Sequence, residues 1–284
     1  MHNDPPPLDA PLPETPFSAD LRAALDAVYD LAPSHVPRTL VVCRCPVCMS
    51  GGTLAQILAT PTRSLTPDLV REYTNSAHGD PTDPDDLNAL LPRYLDLIAQ
   101  DISVDWNSVG ADLRRFGDAR GNLPGFPAPG MGPVLDLYAQ HLLGHFAALQ
   151  VQGAEPIETP WSLLPFLVIG GWPVAPLTET LDGLFQRPDF GPAALVWFLE
   201  EMGRQVRDGR LDLWAFSRYR PEAAPALAAW LNRLLTSEAA TAVMTDPSLP
   251  ENIAVWVAPL ASLGGQITPA ILGFLAGPTG GEGS

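Results

Sequence analysis

The chain has 284 residues, enough to bury a sizeable core in one large domain or two modest ones. Its 32 acidic residues against 16 basic ones give a formal charge of −16, and every basic residue is arginine. Such a surface repels nucleic-acid phosphates and anionic lipid headgroups, so neither is an expected partner.

Residues 1–16 are proline-rich and acidic and are expected to form a disordered tail. They carry neither the basic nor the apolar region of a signal peptide, and three closely spaced cysteines do not suit a secreted disulfide framework. A cytoplasmic location is therefore expected. Leu21, Leu25, Val28 and Leu31 mark a first helix, with Ser18 as its expected N-cap. Thr39–Val42 is the best candidate for extended backbone, and Leu54–Leu58 reads as a short helix. Thr66-Pro67-Asp68 combines a capping hydroxyl, a first-turn proline and an acid that opposes the helix dipole. Asp83-Pro84-Asp85-Asp86 repeats that signal and opens a helix with Leu87, Leu90, Leu91, Tyr94, Leu95 and Ile98 on one face. A further helix is expected over 104–116.

Residues 117–133 contain five glycines and four prolines and read as a linker or functional loop. They separate a helical Cys-cluster module (17–116) from a helical C-terminal region (134–277), with a disordered tail expected at 278–284. Helices are expected near 134–150, 161–170, 176–186, 191–207, 221–235, 237–244 and 267–276. The uncharged stretches 159–178 and 252–281 are long enough to span a bilayer, but prolines and glycines cut them into pieces suited to buried core helices. Pro46, Pro165 and Pro259 each stand five residues before a glycine pair, a spacing that suggests a repeated helix–Gly–helix turn. The expected fold is all-α: irregular helical hairpins, α-solenoid-like or an orthogonal bundle, with a short Cys-containing loop.

Cys43, Cys45 and Cys48 are the only cysteines and fall within six residues. Three soft thiolates can converge on zinc, which wants a fourth ligand. His78 and His35 are the nearest histidines that could supply it, with Asp80 as a weaker choice. A closed Cys3His set would be structural, whereas three thiolates plus water would leave a catalytic position open. Reduced, metal-free thiols and a redox Cys45/Cys48 pair are the alternatives.

Four other groupings have chemical potential, each with a plain counterpart. His141 and His145 share a helix face, but Leu142 stands where a zincin motif needs glutamate. Asp80, Asp83, Asp85 and Asp86 could hold a divalent cation, or could simply cap a helix. Glu200-Glu201 beside Arg204 and Arg207 reads as a solvated, ion-paired helix face. Arg204, Arg207, Arg210, Arg218 and Arg220, interleaved with Trp214, Phe216 and Tyr219, form a basic concentration that could meet an anion or balance neighbouring acids. No Gly-x-Ser-x-Gly elbow, phosphate-binding glycine loop or dinucleotide fingerprint is present.

Cys45-Pro46-Val47-Cys48, Tyr73 to Gly79, and Asp86-Leu87 through Leu90-Leu91-Pro92-Arg93-Tyr94-Leu95-Asp96-Leu97 give the second quarter of the chain a further character. This stretch resembles an uncharacterised bacterial all-α family with an N-terminal Cys cluster and a Leu-Pro-Arg-Tyr-Leu helix. The resemblance implies a recurrent helical module with a cysteine-containing entrance loop and carries over no catalytic residue. The functional expectation is a non-enzymatic protein-interaction protein that neutralises or scaffolds a basic partner, with a structural metal site whose expected cofactor is zinc. A metal-dependent enzyme or thiol protein using Cys43, Cys45 and Cys48 is the alternative. A small-molecule site lined by Trp161, Trp172, Trp197 and Trp230 is a third.

Overall fold

The computed structural model describes residues 12–38, 40–43, 48–76, 82–102, 111–207, 210–211 and 219–268. Five helices, α1 (Ser18–Asp30), α2 (Gly51–Ala59), α3 (Pro67–Asn75), α4 (Pro84–Ala99) and α5 (Ala111–Ala119), precede the long α6 (Met131–Val151). After it come α7 (Pro160–Ile169), α8 (Val174–Phe185), α9 (Gly191–Arg204), α10 (Ala224–Leu235), α11 (Glu238–Met244) and α12 (Glu251–Val257). The fold is all-α. Among the described residues, extended pairing is limited to Val206–Arg207 against Arg210–Leu211 and one bridge between His35 and Pro61. No helix among them is long and apolar enough to cross a membrane.

Local chemistry sets most helix starts. The Thr66 hydroxyl accepts the Leu69 N–H at 3.3 Å, and Asp83 accepts the Asp85 N–H at 2.9 Å, each followed by a proline that needs no N–H partner. Ser50 does the same for α2 through the Thr53 N–H at 3.1 Å. Ser18 departs from its expected capping role. Phe17 already has right-handed helical backbone, so Ser18 lies inside α1, and its hydroxyl accepts from the Thr15 N–H instead.

The bundle is organised on α6. Its N-terminal half keeps Pro133, Leu137 and Gln140 exposed, whereas Leu142 to Gln150 are buried all round, which is why the apolar pattern there has no polar face. Helix α6 packs against α1, α7, α8 and α9. Its neighbour α7 is buried along eight of its ten residues, so the apolar 159–178 stretch is core. A continuous cluster of buried side chains extends from Leu21 to Ile267. Residues 117–133 form the end of α5, the connection and the start of α6, and α4 grips that connection. The Asn88 carboxamide donates to the Gly125 carbonyl and accepts from the Ala128 N–H, both at 2.8 Å.

The three proline–diglycine words are not equivalent. Gly51-Gly52 open α2, whereas Gly170-Gly171 end α7 and Gly264-Gly265 follow a final 3-10 turn. A shared turn would need the pair at the same end of each helix, so the spacing is not a structural repeat. The expected helix at 267–276 lies outside the described residues from 269 onward. Helix α12 was not anticipated: it is seven residues long, starts without a side-chain cap and ends in a 3-10 segment. It crosses α9 backbone to backbone at Gly203, where an added Cβ would stand 2.0 Å from the Trp256 carbonyl oxygen.

Candidate functional site

The cysteine region is described only in part. Cys43 and Cys48 are half-buried, while Cys45 and His78 lie outside the described residues. The Ser76 hydroxyl donates to the Cys48 carbonyl at 2.9 Å, tying the end of α3 to the cysteine loop. His35 is exposed, with its Nδ1 3.2 Å from the Ser34 hydroxyl. Among the described residues no three His, Cys, Asp or Glu side chains are grouped to hold a metal ion.

The acidic run divides. Asp80 lies outside the described residues, and Asp83 caps α4. Asp86 is only 3% exposed; one carboxylate oxygen accepts the Val41 N–H at 3.1 Å and the other has no partner. Burial pushes its carboxyl up to about 6, opposed by the Val41 bond and reinforced by Asp83 and Asp85. This is a buried strut for the 40–43 segment. His145 is likewise structural: it is buried, with Nδ1 2.8 Å from the Thr15 hydroxyl, and burial lowers its pKa.

Of the basic concentration, Arg207 and Arg210 have undescribed side chains, and Trp214, Phe216 and Arg218 lie outside the described residues. Arg220 is half-buried, within 3.7 Å of Asp118 and 3.6 Å of Glu222. Acids therefore balance it. The four tryptophans also separate. Trp161, Trp172 and Trp230 are core residues, the latter two with indole N–H groups donated to the Leu135 carbonyl and Asp182.

Trp197, half-buried, lines a cleft. That cavity, about 300 Å³, is bounded by the C-terminal end of α6, the α6–α7 loop and the C-terminal end of α9. Gln150, Gly153, Ala154, Glu155, Pro156, Thr159, Trp197, Glu201 and Arg204 line it. Its rim is well fixed. Gly153, at φ +80, ends α6 in a left-handed turn, with the Gly153 N–H bonded to the Gln150 carbonyl and the Ala154 N–H to the Leu149 carbonyl. Asp101 then holds the far side of the loop, accepting the Ile157 N–H at 2.6 Å and the Glu158 N–H at 2.9 Å. Its own φ is +58, a left-handed conformation that aspartate tolerates better than most side chains. Thr159 and Ser162 close the loop with a capping box at the start of α7.

The electrostatics of the cleft are set from α9. Glu200, expected on a solvated face, is instead 1% exposed. Helix α9 packs on several neighbours at once, which leaves no outward side at that position. Its carboxylate accepts from Arg204 at 2.5 Å, and its second oxygen has no partner. Arg204 also lies 3.7 Å from Glu201 and over the Trp256 ring at 5.2 Å. Burial raises the Glu201 pKa, with Arg204 opposing and Glu200 adding to the rise. One cation thus answers two carboxylates, and Glu155 adds a third at the exposed rim. On the opposite wall, Gln150 is 8% exposed, and its carboxamide has no protein hydrogen-bond partner among the described residues. Gln150 is not legible in the sequence, because a polar residue at the end of an apolar helix reads as a solvent border.

No protein-family model, no curated protein and no solved structure matches this chain.

Proposed function

We propose that this chain is a non-enzymatic helical protein that binds a basic protein partner, neutralising or scaffolding it, and that the α6–α9 cleft is the point of contact. The observation that supports the reading is the cleft's composition: more carboxylate than guanidinium, an aromatic wall, and a largely buried glutamine whose amide has no protein partner. The charge of −16 supplies long-range attraction for a basic surface, raising encounter rates in a salt-dependent way. Calorimetric titration of the full chain with an arginine-rich peptide and a neutral peptide of equal length tests it. Binding of the basic peptide alone, weakening as salt rises, is expected. No heat from the basic peptide at low salt would contradict the proposal.

A second reading, a zinc site made by Cys43, Cys45 and Cys48 with His78 or His35, draws support from one contact. Ser76, two residues before His78, is bonded to the Cys48 carbonyl, so the chain leading to His78 leaves from beside the cysteine loop. Zinc content of the purified chain and of its single Cys→Ser variants checks this. Zinc whose loss only lowers the melting temperature marks a structural site. Zinc with an exchangeable water, on a fold that survives mutation, marks a catalytic one.

A further inference from the structure

We propose that the cleft takes a single guanidinium group, presented by an arginine side chain of the partner; this rests on the binding reading above and gives it a chemistry. Three features of the cleft converge on that group. The first is charge. Arg204 is shared between Glu200 at 2.5 Å and Glu201 at 3.7 Å and is held over Trp256, so the lining keeps unneutralised carboxylate charge. An anionic ligand would have to displace both glutamates from Arg204 and would meet Glu155 on the way in. A cation meets no such opposition.

The second is hydrogen bonding. The Gln150 carbonyl oxygen is an acceptor with no protein donor, on a residue only 8% exposed that lines the cavity. A ligand with several N–H groups in one plane can reach this oxygen and the Glu201 carboxylate together. The third is shape. Trp197 is half-buried and lines the cavity, and a flat, weakly hydrated guanidinium packs on an indole better than a compact, strongly hydrated ammonium. A cavity of about 300 Å³ has room for the alkyl stem as well, and Ala154 and Pro156 supply apolar wall for it.

The test uses the full chain and two capped amino acids, N-acetyl-arginine amide and its neutral isostere N-acetyl-citrulline amide, titrated by NMR. The same titrations are run on Gln150→Leu and Glu201→Gln, alongside an arginine-rich peptide. The arginine derivative is expected to bind at least about tenfold more tightly than the citrulline one, and each variant to weaken it by about tenfold. Gln150→Leu should keep or raise the melting temperature, since the amide it removes has no protein partner. A fall in affinity therefore cannot be put down to unfolding. Equal affinity for the two derivatives, or variants that bind like the parent, overturns the proposal. If the basic peptide still binds in a salt-sensitive way in that case, the acidic-surface reading stands without the cleft. If neither peptide nor derivative binds, both fall. If the free derivative binds as tightly as the peptide, the guanidinium chemistry stands and the protein-partner reading falls.

Discussion

Replacing Asp86 with asparagine should make stability less sensitive to pH. Asp86 is the third residue of α4, 3% exposed, with one oxygen on the Val41 N–H and the other unpartnered. Its carboxyl titrates at about 6, against an ordinary value of 3.8. A shift of about two units corresponds to about 3 kcal/mol. The direction follows from proton binding: the folded chain holds this proton more tightly than the unfolded chain. Asp86 therefore favours folding at low pH, and stability is lost as pH rises from about 4 to about 6. Between about pH 4.5 and pH 7.5 the parent should lose about 2 kcal/mol that Asp86→Asn keeps, once the common pH trend of both proteins is subtracted. The substitution also removes a favourable first-turn charge, worth about 0.3–1 kcal/mol, and places an amide group where no acceptor is available. The amide penalty shifts the whole curve, while the first-turn charge exists only where Asp86 is ionised and is already contained in its pKa, so the difference between the two pH values stands. Urea unfolding of both proteins across that range measures it. Parallel curves would refute the assignment of Asp86 as a buried, proton-retaining carboxyl.

Three further outcomes follow from named contacts. Gly203→Ala forces a Cβ to within 2.0 Å of the Trp256 carbonyl, so it should cost about 1–3 kcal/mol by chemical unfolding and separate Arg204 from the Trp256 ring. Asp101→Ala removes the acceptor of two loop N–H groups and puts alanine at φ +58; about 2–3 kcal/mol of lost stability is expected, with Asp101→Asn recovering part of it. His145→Ala should free residues 12–17 from the rest of the chain, seen as faster amide exchange at Phe17 and Ser18 and a loss of about 1 kcal/mol or more, since His145 meets the hydroxyls of Thr15 and Ser18.

Elements whose signals are local could be read from the sequence, and those set by packing could not. Thr66 and Asp83 announce α3 and α4 because a cap depends on residues within one turn. Helix α6 is legible from its apolar density alone, although it begins at Met131, three residues ahead of the expected start. Ser18 looked like a cap and is not, because the turn at Thr15–Phe17 brings Phe17 into helical backbone first. Glu200 and Glu201 are adjacent and chemically alike. Only the packing of α9 against its neighbours buries the first and leaves the second facing the cleft. The four tryptophans show the same limit: nothing in their spacing separates Trp197 from the buried Trp161, Trp172 and Trp230. Gln150 gave no signal at all, since an unpaired amide is recognised only when its surroundings are known.

Amide hydrogen exchange of the full chain, with and without a saturating arginine-rich peptide, bears most directly on the claim that the acidic cleft receives a basic partner. Slowed exchange confined to residues 150–159 and 197–204 is the predicted result. Protection spread over other surfaces with none at the cleft would contradict it.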